Sequence, residues 1–500
     1  MEEVRFARQE VPYLDKVLEE ARSQELTQEL RLPEGMPDVG KVLGAWGQPI
    51  LRSKEWNGSC ASASGGMQVW ILYTPGDGSS EHCMEGWIPF QMRWDLPPER
   101  MEGKLNIRCL PRFVDARSVT PRKLMIRAGL GVLAGGWVPS LAEVFTPERE
   151  TEGVELRQHT WPVQLAAEAG EKAFALEEEL TLPSSMPVPE KILFCRMEPK
   201  IREQRVVGDR LAFRGSGNLH MLCRSGDGQI YGWESELPFS QLAELDRAYG
   251  PDARAELTLA MTALEPELLE ENRLRIRCGI TGQYIISQQQ MLPLADDAYS
   301  PHRFIEMEQR EMELPVVLEE RTESLSAELE LDADADMVAS ITFLPDIPRQ
   351  KRTEEGLEIR LPGQFQVLYY TPGGVLQGTV GRWEGKLSLP AGEETIFWMT
   401  PETGEPARGR SAGGKLLLNA VSNVAMNARA RQSIPMVTGI SLGEVREKDP
   451  ERPSLILRRA GDAGLWDMAK AAGTTVDAIR RANGLTEEPA PGKMLLIPVP

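Results

Sequence analysis

Histidine and cysteine are the side chains that most readily do chemistry near neutral pH, and this chain holds few of them. Its four histidines are His82, His159, His220 and His302, and its six cysteines are Cys60, Cys83, Cys109, Cys195, Cys223 and Cys278. General-base and zinc chemistry lean on imidazole, and four scattered copies leave little room for either. No two cysteines form a CxxC pair, so buried single thiols in a reducing compartment are expected rather than a disulfide frame or a metal knuckle. His82 and Cys83 are adjacent, but neighbours on a strand point to opposite faces, which argues against a nucleophile and its base. Asp332, Asp334 and Asp336 lack the glycine and the distal glutamate of a calcium loop and read as a solvated turn. Gly129 to Gly136 lacks the Lys-Ser or Lys-Thr of a phosphate loop. Carboxylates abound, yet no spacing marks one pair for acid–base work. Neither a catalytic constellation nor a metal or cofactor site stands out, so the chain is expected to be no enzyme.

The elements that would position a site are organised by repetition. Leu32-Pro-Glu-Gly-Met-Pro-Asp-Val-Gly-Lys-Val-Leu43 recurs as Leu182-Pro-Ser-Ser-Met-Pro-Val-Pro-Glu-Lys-Ile-Leu193, with six of twelve positions identical at an offset of 150. In the same register Gly76-Asp77-Gly78 returns as Gly226-Asp227-Gly228, and Arg122 to Leu130 returns as Asn272 to Ile280. A more diverged third copy carries Tyr369-Tyr-Thr-Pro-Gly373 in place of Leu72-Tyr-Thr-Pro-Gly76. The repeats are placed at 1–150, 151–300 and 301–445.

Each repeat reads mainly as strand. Val69, Ile71 and Tyr73 alternate before a Gly-Asp-Gly turn; Leu219, Met221 and Cys223 do so in the second copy, and Phe365, Val367 and Tyr369 in the third. Leu242 and Leu245, at i and i+3, predict a short helix over Phe239 to Tyr249. Each module is long enough for a core of its own, which predicts domains on a string. Trp70, Trp87, Trp94 and Trp137 are expected in cores, whereas Trp46 and Trp56 are candidates for an exposed patch.

Charge narrows the partners. Lys and Arg number 56 against 75 Asp and Glu, a net charge of −19, which disfavours nucleic acid and anionic membranes. The opening residues lack an apolar signal core, and the longest uncharged apolar run, Ala128 to Ala142, is 15 residues broken by glycines and a proline. Neither a secretory signal nor a membrane span is expected.

After a linker at 446–453 the pattern changes. Residues 454–500 read as strand, helix, helix, strand, with Leu465, Ala469 and Ala472 on one helical face and Thr474 capping a second helix that Asn483-Gly484 closes. From Arg452 onward seven basic and five acidic residues leave +2, so the preceding 451 residues carry −21.

This segment resembles a LysM domain, through Gly461-Asp-Ala-Gly-Leu-Trp-Asp-Met-Ala-Lys470, Gly473-Thr-Thr-Val476, Asn483-Gly-Leu485 and Pro491-Gly-Lys-Met-Leu-Leu-Ile-Pro498. One residue more than the usual Gly-Asp-Thr-Leu-Trp stands in its first loop. The resemblance implies a groove for glycan or protein built from Gly461, Asp462, Ala463, Gly464, Leu465, Asn483, Gly484, Leu485 and Pro491. The repeats resemble SPOCS domains, through Leu-Pro-x-x-Met-Pro, the Gly-Asp-Gly hairpin and the closing Lys-Leu-x-Ile-type strand. Such repeats followed by a LysM resemble the SipL-like family of spore-coat morphogenetic proteins. That likeness implies three β-rich SPOCS-like domains plus a βααβ LysM domain. It also implies a scaffold on the mother-cell side of the forespore surface, docking to a coat-assembly ATPase or other coat proteins. The alternative is a binder of N-acetylglucosamine glycan in the cortex or wall.

Overall fold

The computed structural model describes residues 2–97, 102–149, 152–270, 272–354, 356–390, 396–447, 453–461 and 464–499. Strands make up 78% of the protein and helices 3%, so it is mainly β. The first third holds β1 (Glu2–Val4), β2 (Phe6–Arg31), β3 (Val39–Asn57), β4 (Cys60–Pro75), β5 (His82–Asp95), β6 (Lys104–Thr120) and β7 (Lys123–Pro147). The second holds β8 (Glu155–Thr181), β9 (Pro189–Ser225), β10 (Ile230–Tyr249), β11 (Arg254–Leu268) and β12 (Arg273–Tyr299). The third holds β13 (Arg303–Asp332), β14 (Met337–Pro345), β15 (Arg349–Thr353), β16 (Gly356–Tyr370), β17 (Leu376–Leu389), β18 (Phe397–Thr403), β19 (Arg408–Ala412) and β20 (Lys415–Val445). The tail is β21 (Leu455–Arg459), α1 (Leu465–Ala472), α2 (Val476–Asn483) and β22 (Met494–Pro498).

The same wiring occurs three times. A long first strand pairs antiparallel with a long last strand, as β2 with β7, β8 with β12 and β13 with β20. A further strand lies on the other edge of the last one: β6, β11, and the broken pair β18 and β19. Between them sits a hairpin sheet, β3-β4-β5, β9-β10, or β14 to β17. Its tip is set by chain chemistry. Gly78 and Gly228, 150 residues apart, adopt φ of 74° and 88°, and Gly374 repeats this at 73°, a left-handed conformation that favours glycine.

Each third buries apolar residues of its own, around Met67, Trp94 and Leu124, around Phe213, Met221 and Leu274, and around Phe365, Leu361 and Leu416. The thirds are not beads on a string, however, because two clusters draw on all three. One joins Trp46, Trp70 and Leu72 to Phe194, Leu222, Leu368 and Leu376. The other joins Tyr13 and Val144 to Val163, Leu294, Met312 and Ile434, from the long paired strands. The three thirds therefore pack around a common centre, and β1 ties the start of the chain to the third by pairing Val4 with Ile440.

Two local expectations are corrected. Residues 239–249 lie in strand β10, where Leu237, Phe239, Ala243 and Leu245 are buried while Leu242 is exposed, so a period of two prevails over the i, i+3 leucine pair. Trp46 is buried against Phe194, with ring centroids 5.3 Å apart, and Trp56 packs on the first core, so neither forms an exposed patch. Asp332, Asp334 and Asp336 are exposed, and Gly129 to Gly136 lies within β7. Among the described residues, no helix is long and apolar enough to cross a membrane.

Candidate functional site

The tail is built by short-range rules. Leu465, Met468, Ala469 and Ala472 bury one face of α1, and Gly473 ends it at φ 62°. The second helix is capped by Thr475 rather than Thr474: the Thr475 hydroxyl accepts from the Ala478 N–H at 3.0 Å. Thr474 is buried, and its carbonyl accepts from the Tyr299 hydroxyl at 2.9 Å. Gly484 closes α2 at φ 61°. Strands β21 and β22 pair antiparallel, Leu455 with Pro498, Leu457 with Leu496 and Arg459 with Met494.

The residues expected to form a groove divide into two groups. Asp462 and Ala463 lie outside the described residues. Gly461 is exposed, and Gly464 caps α1. Leu465 is fully buried, and its N–H donates to the Glu488 carboxylate at 3.1 Å. A carboxylate at a helix N-terminus is favourably placed, and here it ties the first loop to the loop before β22. The Gly492 N–H donates to the Ala460 carbonyl at 2.7 Å, beside exposed Pro491, and reinforces that tie. Asn483 and Gly484 stand apart from it. The Asn483 amide accepts from the Leu496 N–H at 2.7 Å and donates to the Leu496 carbonyl at 2.6 Å, acting as a short extra strand on the edge of β22. Leu485 is partly buried against the tail's core. The polar groups of Leu465, Asn483 and Gly492 are thus already engaged within the module.

The tail is clamped to the second third of the chain. The Asp297 carboxylate accepts from the Trp466 indole at 2.8 Å and from the Lys470 ammonium at 2.7 Å. The Tyr299 ring meets Trp466 edge-on at 4.8 Å, and the Arg157 guanidinium lies 5.8 Å from the same indole. Burial raises the pKa of Asp297, but the Lys470 and Trp466 donors outweigh it and hold the carboxyl below its usual range. Sequence reasoning missed this clamp. Asp297 and Tyr299 carry no local signal, being near the end of a strand about 170 residues from their partners.

The outer face of the tail's sheet is apolar. Leu455, Leu457, Met494 and Leu496 are exposed there, while Ile456, Leu495 and Ile497 face the helices. The signal was present in the sequence, since Leu455-Ile-Leu457 and Met494-Leu-Leu-Ile497 are apolar at successive positions, as in strands covered on both sides.

No known family profile, curated protein or solved structure matches this chain.

Elsewhere, adjoining cavities of about 600 and 520 Å³ lie where the three thirds meet, sharing Lys16, Trp137, Gln204 and Glu256. The Lys16 ammonium sits 5.0 Å from the Trp137 ring and 5.6 Å from Trp398. Glu256 pairs with Arg429; burial raises its pKa, and Lys16 and Arg429 bring it below the usual carboxylate range. His220 shares hydrogen bonds with Glu234 at 3.0 Å and Ser340 at 3.1 Å, an order that resembles a catalytic triad. Ser340 is buried in β14 next to Gly232, so the chain of bonds joins β9 to β14. Cys83 is buried and donates to the Leu193 carbonyl at 2.9 Å; burial pushes its thiol up to about 12, leaving it protonated.

Proposed function

We propose that this protein is a non-enzymatic scaffold of endospore coat assembly, similar to the SipL-like family, working on the mother-cell side of the forespore surface. Its three β-rich thirds form the body, and its terminal LysM-like module docks to a coat-assembly ATPase. The observation that carries the reading is the apolar outer sheet face, held outward on a module that is itself clamped to the body. An exposed contiguous apolar patch on a folded module is a usual mark of a protein interface. Fixing the module on a large body limits the orientational freedom lost on docking.

The body supports the same reading. Three related hairpin sheets share one apolar cluster, and several weak contacts on one body gain from effective concentration. The glycan reading receives less support, because backbone and amide groups on the proposed groove are already bonded within the module.

A fluorescent fusion of the full chain in sporulating cells tests this. It should encircle the forespore, whereas a chain ending at Glu451 should remain diffuse in the mother cell. Purified full chain retained on muropeptides, with both fusions equally diffuse, would favour the cortex-binding alternative.

A further inference from the structure

Both strands of the tail's sheet carry apolar residues on both faces, yet among the described residues only one face is covered. Ile456, Leu495 and Ile497 pack against α1 and α2. On the other face Leu455, Leu457, Met494 and Leu496 are 50%, 60%, 50% and 39% exposed. Cross-strand pairing puts Leu457 beside Leu496, so the four form one surface and not isolated residues.

That surface has a charged end. Arg459 lies opposite Met494 on the same face; Arg458, opposite Leu495, turns to the other face at the same end of the sheet, with Lys493 next in sequence to Met494, and all three are exposed. The cluster sits in a segment of net +2 on a chain of net −19. An acidic partner would be repelled by most of this protein and drawn to this end of the module. The two edges of the sheet also differ. On β22 the Asn483 side chain occupies the Leu496 backbone, whereas β21 pairs only with β22 among the described residues. A partner strand can therefore add to β21 and lay its own apolar side chains along the face.

Resting on the docking function proposed above, we infer that the occupant of this face is a segment of the partner protein with alternating apolar residues followed by acidic ones. It pairs with the β21 edge and covers Leu455, Leu457, Met494 and Leu496, with its carboxylates at Arg459. The loop groove is not the docking surface.

The test uses the full chain and two synthetic peptides, each alternating leucine with serine and ending in two glutamates or two lysines. Fluorescence anisotropy should show saturable binding of the acidic peptide and at least about tenfold weaker binding of the basic one. Leu457→Asp should weaken the acidic peptide by about tenfold or more while the circular dichroism spectrum stays unchanged. Arg459→Glu should reverse the preference between the two peptides. Equal binding of both peptides, or no effect of either substitution, overturns the proposal. So does a concentration-dependent dimer that Leu457→Asp dissociates, since a second copy would then occupy the face. Capture of the coat ATPase distinguishes a wrong face from a wrong docking function. If Leu457→Asp captures it normally and the chain ending at Glu451 does not, the face is wrong and the docking function stands. If the chain ending at Glu451 still captures it, the docking function itself falls.

Discussion

The side chain of Gln283 pairs with the backbone of Ile107 as a neighbouring strand would. It accepts from the Ile107 N–H at 2.9 Å and donates to the Ile107 carbonyl at 2.8 Å, and Gln283 has no exposed surface. The contact stitches β12 to β6, the second third to the first. Gln48 accepts from the Met197 N–H at 3.1 Å, and Gln366 donates to the Ala45 carbonyl at 2.9 Å, so buried glutamines recur where thirds meet. Apolar clusters alone would tolerate sliding; a bidentate amide fixes register.

Gln283→Leu roughly keeps the volume and removes the amide, leaving both Ile107 groups buried without their partner and taking one acceptor from the Lys54 ammonium, 2.6 Å away. The expected loss is about 3 kcal/mol, since each unsatisfied buried group costs roughly 1–3 kcal/mol. Urea unfolding should show a lower midpoint with an unchanged slope. A wild-type midpoint would contradict the role given to this residue.

Gly378 tests the third joint. A Cβ built there would lie 1.6 Å from the Leu43 carbonyl oxygen, a backbone atom of another third. Gly378→Ala must push β17 away from β3, and overpacking of this kind costs about 1–3 kcal/mol. Calorimetry should show a depressed melting temperature. An equal substitution at exposed Gly76, which faces open space, should leave it nearly unchanged.

The Asp297 clamp makes a pH prediction. Because the folded carboxyl is held below its ordinary value of 3.8, its contribution is fully present above that pH. It declines as pH falls below 3.8 and is gone once pH passes the lower folded value. Hydrogen exchange in α1 should accordingly stay protected from neutral pH down to that region. In Asp297→Ala the exchange should be faster at neutral pH and lose this acid dependence. Equal α1 protection in the two proteins at neutral pH would show that Asp297 does not hold the tail.

The thiols report packing directly. Cys83, Cys195, Cys223 and Cys278 are buried, and burial pushes all four upward, Cys83, Cys223 and Cys278 to about 12. Cys60 is half-buried at the start of β4. A disulfide reagent at neutral pH should modify Cys60 ahead of those four, and all six cysteines should react in denaturant. Rapid reaction of Cys195 in the native protein would contradict the packing around Phe213.

What the sequence revealed follows the range of the forces involved. Alternation at Val69, Ile71 and Tyr73 and the Asp77-Gly78 turn are local signals, and both appear in β4 and its hairpin. The internal repeat exposed the common wiring, because equivalent turns recur 150 residues apart. Over 239–249 two local periods compete, and only the surrounding core decides between them. The Gln283–Ile107 joint and the Trp466–Asp297 clamp were not legible, since each links residues brought together only by the packing of distant strands. In the candidate module the helices, Gly473 and Gly484 followed from capping rules. The role of Glu488 across two loops did not, because an exposed-looking glutamate in a polar loop carries no mark of its target.

The most direct measurement of the central claim is binding of purified coat-assembly ATPase to the full chain and to the chain ending at Glu451, followed by biolayer interferometry. The account predicts saturable binding to the full chain and its loss in the shorter one, which should retain the β circular-dichroism spectrum of the body. Equal binding by both would contradict docking through the terminal module.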